Sequence, residues 1–490
     1  MREFPPLTDR TDLPSLAFDA RSLAAAVAGD LLLAGKAPIR GGAVDSRKVE
    51  PGNAFFALPG ERTDGHNFLD DAVRRGAAAL VATRRPDEAT LRALANAGAA
   101  TVVLVPDVLV ALHAAAASWR ARFEPLVVGV TGSIAKTSTK EQVAQVLAQR
   151  WTVLRNQANE NNEIGLPLTL LRLVPTDDVA VLEMGMYTPG DIAVLAELAQ
   201  PRVGVVTAVR PTHLARAGSI DAIERGKREL VDALPVGGTA VLNADDERVA
   251  RMADGRAGQL RVVRYGFEAS ADVSASNIES RGEEGMRFDL RLPGATVPAR
   301  IPALGRHSVH NALAAAAVGD ALGLDAATIV AGLAQPFSVP HRSTLVRAGD
   351  WRILDDSYNA APDSMAAALD LLASLPGRRV AVLGEMLELG DLSDEAHRTM
   401  GGHAARTAQL LVTVGPFASL YAAGARAAGM GAAAIVETPN RAAALAQLER
   451  RLRPGDIVLV KASRGAELDL LVDDLRRLAE YDSASPEPVR

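Results

Sequence analysis

Leu126-Val127-Val128-Gly129-Val130-Thr131-Gly132-Ser133-Ile134-Ala135-Lys136-Thr137-Ser138 decides how the rest of the chain reads. Its first five residues are a short apolar run, suited to a strand buried on both faces of a parallel sheet. A Gly/Ser turn and a helix over 136–150 follow. Backbone N–H groups at such a turn, with a helix N-terminus behind them, make an anion site. Lys136 is placed to bridge β- and γ-phosphates, and the Thr137 hydroxyl to hold Mg²⁺. Gly132, Ser133, Ile134, Ala135, Lys136, Thr137 and Ser138 are therefore a candidate phosphate cradle. Read alone, the segment also fits an ordinary strand–turn–helix with a solvated lysine, because Ala135 stands where a phosphate loop has Gly.

Outward from this stretch, strand-like runs at 178–183 and 203–208 alternate with helices, the pattern of an α/β parallel sheet. Between 271 and 303 the period changes to two, with Gly and Pro breaks, and predicts a small antiparallel insert. A helix is expected over 311–322. Beyond Pro340 strands (352–356, 379–383, 410–414, 433–436, 457–461) alternate with helices (364–374, 395–408, 419–428, 441–452, 468–479). That predicts a second doubly wound sheet, and no G-x-G-x-x-G follows its first strand. Before Phe123 come short β-like runs (54–58, 79–82, 101–105) and helices over 91–97 and 111–122, closed by a Glu124-Pro125 break. The expected organisation is α/β throughout, in three domains over 1–123, 124–340 and 341–490.

Length agrees: 490 residues make about three domains at roughly 150 residues each. Lys plus Arg number 53 and Asp plus Glu 59, a formal charge of −6, which argues against a nucleic-acid coat or a polybasic membrane binder. Hydrophobic residues make 48% of the chain and aromatics 4%, so the cores should be large and aliphatic. There is no cysteine, which excludes disulfides, zinc–thiolate sites, iron–sulfur clusters and thiol nucleophiles. No apolar signal core is seen at the start and no 18-residue uncharged apolar run occurs, so a cytoplasmic protein without membrane insertion is expected.

Three further residues carry chemistry by position. Glu183 ends the strand at 178–183, where a carboxylate can meet a phosphate-bound metal; read alone it is equally a solvated strand-end acid. His213 follows the strand at 203–208 and, taken singly, reads as a surface or capping residue. Lys227 lies 14 residues later; a lone helical lysine is ordinarily solvated.

Order and spacing change that reading. Asp45-Ser46-Arg47-Lys48-Val49, Leu58-Pro59-Gly60-Glu61-Arg62, Asp64-Gly65-His66, the phosphate loop, and Asn159-Glu160-Asn161-Asn162-Glu163-Ile164-Gly165 come in turn. Glu183-Met184-Gly185, His213-Leu214, Lys227, Leu242-Asn243-Ala244-Asp245-Asp246 and Gly305-Arg306-His307 with Asn311-Ala312-Leu313 follow. Together they resemble the Mur ligases, ATP-dependent amide ligases of peptidoglycan precursor synthesis. Asp355-Asp356-Ser357-Tyr358-Asn359-Ala360-Ala361-Pro362, Leu383-Gly384-Glu385-Met386 and Lys461-Ala462-Ser463-Arg464-Gly465 resemble the branch that adds D-alanyl-D-alanine to a UDP-N-acetylmuramoyl-tripeptide. The Asp-Asn-Pro-Arg motif of the branch adding the third residue is not found.

The resemblance implies a UDP-binding first domain, an ATP-binding central domain and a third domain that receives the amine. ATP activates a carboxylate as an acyl phosphate, and the amine then displaces phosphate. Lys136 would neutralise phosphates, Thr137 and Glu183 would hold one Mg²⁺, and His213 would help hold a second. Lys227 matches a lysine that the family carbamylates. Asn311 is expected near adenine, Arg342 near the phosphates and Asp356 near the ribose. Ser46 and Arg47 match positions facing UDP. Asn161, Asn162, Asn359, Lys461, Ser463 and Arg464 lie where the family meets its peptide substrates.

Four residues depart from the family pattern: Ala135, Ser308, Ala361 and Ala462. With Lys136 and Thr137 intact, Ala135 is expected in ordinary helical geometry, in the first turn of its helix. The alternatives are a ligase with altered substrates, a silent homologue acting as a binding protein, and a P-loop motor ATPase, the last disfavoured by the first domain. A monomer is expected.

Overall fold

A computed structural model describes residues 17–484, except 61–62, 89–90, 93, 95–99, 212–213 and 269. His213 lies outside the described residues, and the helix expected over 91–97 lies partly outside them. Three sheets follow one another along the chain.

The first has the strand order Asp30–Leu33, Thr101–Leu104, Ala79–Ala82, Ala54–Phe56, Gly42–Ala43. Only its first pair is antiparallel. Asp107 starts the helix Val108–Arg120 by accepting from the N–H groups of Leu109 and Val110. That helix also covers the next domain. Its Leu112 and Trp119 share one apolar core with Phe18 on one side and Leu166, Leu170 and Leu195 on the other. Polar groups are matched across the same seam: Trp119 Nε1 donates to the Leu173 carbonyl at 3.0 Å, His113 Nε2 to the Glu163 carbonyl at 2.6 Å, and Arg120 Nε to the Ala199 carbonyl at 3.3 Å.

The central sheet has nine strands. Leu126–Thr131 lies between Val179–Glu183 and Val203–Val206 and parallel to both. Burial on both faces explains why these strands read as continuous apolar runs. The expected insert is not separate. Val273–Ser280 pairs in parallel with Arg261–Gly266, and Met286–Leu292 and Ala295–Ile301 add antiparallel strands, so all three prolong the same sheet. Their period of two reflects one covered face: Met286, Phe288, Leu290 and Leu292 are buried in the core that includes the helix Arg306–Ala321. That helix packs in turn on the helix Lys136–Leu147.

The third sheet orders its strands Thr344–Ala348, Trp351–Asp355, Ile457–Lys461, Arg379–Leu383, Leu410–Val414, Ile435–Thr438. Thr344–Ala348 is an antiparallel edge strand that the sequence reading left out, and the rest are parallel. Two residues just before it, His341 and Ser343, have φ of 61° and 47°. Left-handed backbone at two non-glycine residues flanking Arg342 marks a constrained connection. Among the described residues, no helix is long and apolar enough to cross a membrane.

Candidate active site

The loop after Leu126–Thr131 is built by close approach. A Cβ on Gly132 would lie 1.8 Å from Thr207 Oγ1, so only glycine fits. That hydroxyl donates to the Ile134 carbonyl at 2.6 Å. Ser133 N–H donates to the Ala208 carbonyl at 2.8 Å. Ala135 corrects the expectation of helical geometry: it is the residue before the helix, with φ 66° and ψ 0°. The turn itself demands the left-handed conformation, and alanine adopts it at a cost of about 1–2 kcal/mol.

Lys136 Nζ donates to the Gly132 carbonyl at 2.8 Å. Burial pushes its pKa down; Glu183 opposes the shift and Arg342 adds to it. Glu183 is 2% exposed. Its Oε1 accepts from Asn161 Nδ2 at 2.6 Å, while its buried Oε2 has no partner. Thr137 is buried as well. A buried carboxylate oxygen without a donor suits a cation, which turns its desolvation cost into a bond. Among the described residues no group of three or more acidic or imidazole side chains forms a metal cage.

Lys227 is 3% exposed. Ser219 caps its helix, Ile220–Asp232, whose buried face includes Ile223, Lys227, Leu230 and Val231. Burial drives the Lys227 pKa well down, and the Lys136 ammonium adds to the effect. The chain therefore gathers Lys136, Glu183 and Lys227, and it places Lys227 where a plain ammonium is unfavourable.

A cavity of about 640 Å³ opens from this loop toward the third domain. Residues 133–138, Asn311, Arg342, Asp356, Asn359 and Lys461 all line it. Lys461, 1% exposed, donates to Asp356 Oδ2 at 2.6 Å and to the Asn359 carbonyl at 2.9 Å. Asp356 Oδ1 accepts the Ser343 N–H at 2.9 Å. The Arg342 guanidinium lies 4.3 Å from the centre of the Tyr358 ring. His307 also lines the cavity; burial pushes its pKa down while Asp356 opposes.

Other candidates lie apart. Ser46 is buried at the start of a short turn, and its hydroxyl is the leading cause that holds Asp71 below the usual carboxylate range. Arg47 folds back on Asp45 in a two-point pair at 2.9 and 2.8 Å. Asn162 Oδ1 accepts the Gly165 N–H at 2.9 Å and so starts the helix Gly165–Leu170. Ser463 Oγ accepts from Leu387 N–H at 2.9 Å and donates to the Ala360 carbonyl. Arg464 is exposed, with its guanidinium over Tyr358.

The remaining departures are accommodated locally. Ser308 Oγ, in the first turn of its helix, donates to the carbonyl of Leu304 just before that helix, at 2.7 Å. Ala361 begins the helix Pro362–Ser374 without a side-chain cap. The Ala462 methyl fills space that a Cβ at Gly384 would need, 2.7 Å away. Sequence reading missed Gln142, Arg210 and Asp363, which also line the cavity. Asp363 belongs to the family-like stretch that starts at Asp355 but was given no role there, and only their place in the fold brings Gln142 and Arg210 in.

Three family models match along the chain: "Mur ligase family, catalytic domain" over 38–147, "Mur ligase middle domain" over 130–319 and "Mur ligase, glutamate ligase domain" over 341–464. The UDP-N-acetylmuramoyl-tripeptide–D-alanyl-D-alanine ligase of Synechocystis is 39% identical over 435 residues, 88% of this chain and 90% of the relative. MurF from Acinetobacter baumannii superposes with a TM-score of 0.83 at 30% identity, covering 94% of this chain and 99% of that one. MurF from Thermotoga maritima, solved in complex with ADP, gives 0.75 at 27% identity, over 90% and 98%. The phosphate loop, the partnerless Oε2 of Glu183, the buried lysine and these likenesses agree, and the chain belongs to the Mur ligase family.

Proposed function

We propose that this chain joins D-alanyl-D-alanine to UDP-N-acetylmuramoyl-tripeptide at the expense of ATP, in cytoplasmic peptidoglycan precursor synthesis. The observation that carries the reading is the partnerless Oε2 of Glu183 beside Lys136, which itself lines a cavity that two domains share. A ligase of this kind must bring a carboxylate to a γ-phosphate, two anions that repel. The carboxylate oxygen forms a bond to phosphorus as ADP leaves. The amine then attacks the acyl carbon, phosphate departs with the bonding pair, and the amine loses a proton. Positioning and charge neutralisation supply the rate.

In this reading residues 132–138 cradle the triphosphate and Lys136 neutralises it. Thr137 and Glu183 would hold one Mg²⁺, and His213 with a carbamylated Lys227 would serve a second. Mg²⁺ held there would supply charge that screens the approaching anions. Carbamylation adds CO₂ to the neutral amine and releases a proton, turning a costly buried ammonium into an anion fit for a cation site. Asn311 takes the adenine, Asp356 the ribose and Arg342 the phosphates. Ser46 and Arg47 meet UDP in a domain over 1–123. Asn161 and Asn162 line the tripeptide side of the central domain, 124–340. Asn359, Lys461, Ser463 and Arg464 receive the dipeptide in the third, 341–490. The protein acts as a monomer.

The test is a product assay by mass with Mg-ATP, UDP-N-acetylmuramoyl-tripeptide and either D-alanyl-D-alanine or single amino acids. ADP, phosphate and the pentapeptide product should appear together, and only with both substrates. Turnover of ATP alone would point to a motor, another amine to altered specificity, and no reaction to a silent homologue.

A further inference from the structure

Gln142 lies on the helix Lys136–Leu147, six residues past Lys136 and so about 9 Å along the axis. It is 1% exposed, and neither Nε2 nor Oε1 has a hydrogen-bond partner. It nevertheless lines the cavity that begins at the phosphate loop. A buried amide left unpaired at both atoms is costly and calls for a partner. Its neighbourhood is polar: Thr139, one turn back on the same face, brings its hydroxyl to 3.5 Å from Asn311 Oδ1 on the facing helix Arg306–Ala321. With the phosphates held at the helix start, a nucleotide that runs along this helix would bring its base to this part of the cavity.

We propose that the Gln142 carboxamide reads the base of the nucleotide, Oε1 accepting from the N6 amino group of adenine and Nε2 donating to N7. This rests on the ATP reading above and adds a specificity residue to it. A primary amide offers one acceptor and one donor side by side, which is the complement of that edge of adenine. Guanine presents acceptors at both O6 and N7, so the amide can satisfy only one.

Calorimetric titrations of Mg-ATP, Mg-GTP and Mg-7-deaza-ATP into the wild-type chain, Gln142→Met and Gln142→Glu test it, with melting temperatures of each nucleotide-free protein. The wild type should bind ATP at least about tenfold more tightly than GTP or 7-deaza-ATP. Gln142→Met should lose most of that preference and melt no lower than wild type, because it removes an unpaired buried amide. Gln142→Glu, which cannot donate to N7, should also lose it. Unchanged ATP preference in Gln142→Met, with a lowered melting temperature, would make the amide structural and overturn the proposal. Equal wild-type affinity for ATP and 7-deaza-ATP overturns it without any variant. A wild-type chain that binds no ATP fails the nucleotide reading itself, and this assignment with it.

Discussion

Arg210 ties the phosphate loop to the third domain: its Nε lies 2.5 Å from Asp363 Oδ2. The same guanidinium holds the buried Asp246 at 2.5 Å. Its backbone N–H donates to Ser133 Oγ, which donates in turn to the Arg210 carbonyl. One residue thus contacts the nucleotide cradle, the loop after the central strand Thr239–Asn243 and the first turn of the helix Pro362–Ser374. Glu283 makes a second tie, from the end of the central sheet to Arg352 at 3.0 Å.

The Arg210–Asp363 pair is half exposed, so its own strength is modest, up to about 1 kcal/mol. Asp363→Asn should weaken Mg-ATP binding by a factor of about two to five and favour an open arrangement in scattering profiles. A double-mutant cycle with Arg210→Gln checks the coupling. Strictly additive losses would remove the pair from domain closure.

Ala135 holds a left-handed turn that glycine adopts at little cost. Ala135→Gly should raise the melting temperature by an amount worth about 1 kcal/mol while changing Mg-ATP affinity by less than about tenfold. A lower melting temperature would contradict the backbone cost. Binding that appears only in the glycine variant would mean that Ala135 has disabled the loop.

Ala361 leaves the helix Pro362–Ser374 without a capping side chain, although Ser364 Oγ bonds its N–H at 3.0 Å. Ala361→Asn should stabilise the protein by about 0.5–2 kcal/mol through a bond to the free N–H groups of the first turn. Thermal or denaturant unfolding reads this directly. No gain would mean that water already serves those groups as well.

Lys227→Ala should abolish most ligase activity with the fold retained by circular dichroism, and short carboxylates should restore part of it. Rescue by an anion separates a carbamate from an ammonium, since an ammonium's role is not replaced by acetate. Unchanged turnover would take Lys227 out of the site.

His397 gives a dependence on pH. It is fully buried, its Nδ1 donating to the Ser393 carbonyl at 2.6 Å and its Nε2 accepting the Met386 N–H at 3.0 Å. Phe417 stacks on the ring and Tyr421 meets it edge-on. Burial lowers its pKa from 6.5, against the Ser393 bond and Asp394. As pH falls below about 6.5 the unfolded chain takes up the proton first, so stability is complete above that pH and is lost through the lowered folded value. Melting temperatures should therefore drop more steeply between about pH 7.5 and pH 5.5 in wild type than in His397→Gln. Parallel slopes would show that other groups set the acid sensitivity.

Much of this was legible in sequence because buried parallel strands write themselves as apolar runs. Arg379–Leu383, Leu410–Val414 and Ile457–Lys461 end where their patterns end. The strands Met286–Leu292 and Ala295–Ile301 were recognised as antiparallel, but alternation says only that one face is covered, not which sheet the strand joins. Thr344–Ala348 was missed because an edge strand is half-buried and its pattern is weak. Lys227 carried a usable signal, lying four residues after Ile223 and three before Leu230 on an apolar helical face. Ala135 was misread because dihedral angles at a turn depend on what the turn must meet, here Thr207 across the sheet. Gln142 and Arg210 carried no signal: the partners of Arg210 come from residues far along the chain, and only the fold brings Gln142 to the cavity.

The core that runs from Phe18 through Trp119 to Leu195 bears on how the chain is made. A nascent chain released only as far as residue 123 holds a five-stranded sheet and the helix Val108–Arg120, but not the residues that cover the far side of that helix. The Trp119 indole N–H has no carbonyl to meet until Leu173 has left the ribosome, and Arg120 waits for Ala199. The first domain therefore completes its fold only with help from the second. The break at Glu124-Pro125 separates two sheets in sequence without marking the end of a unit that folds by itself.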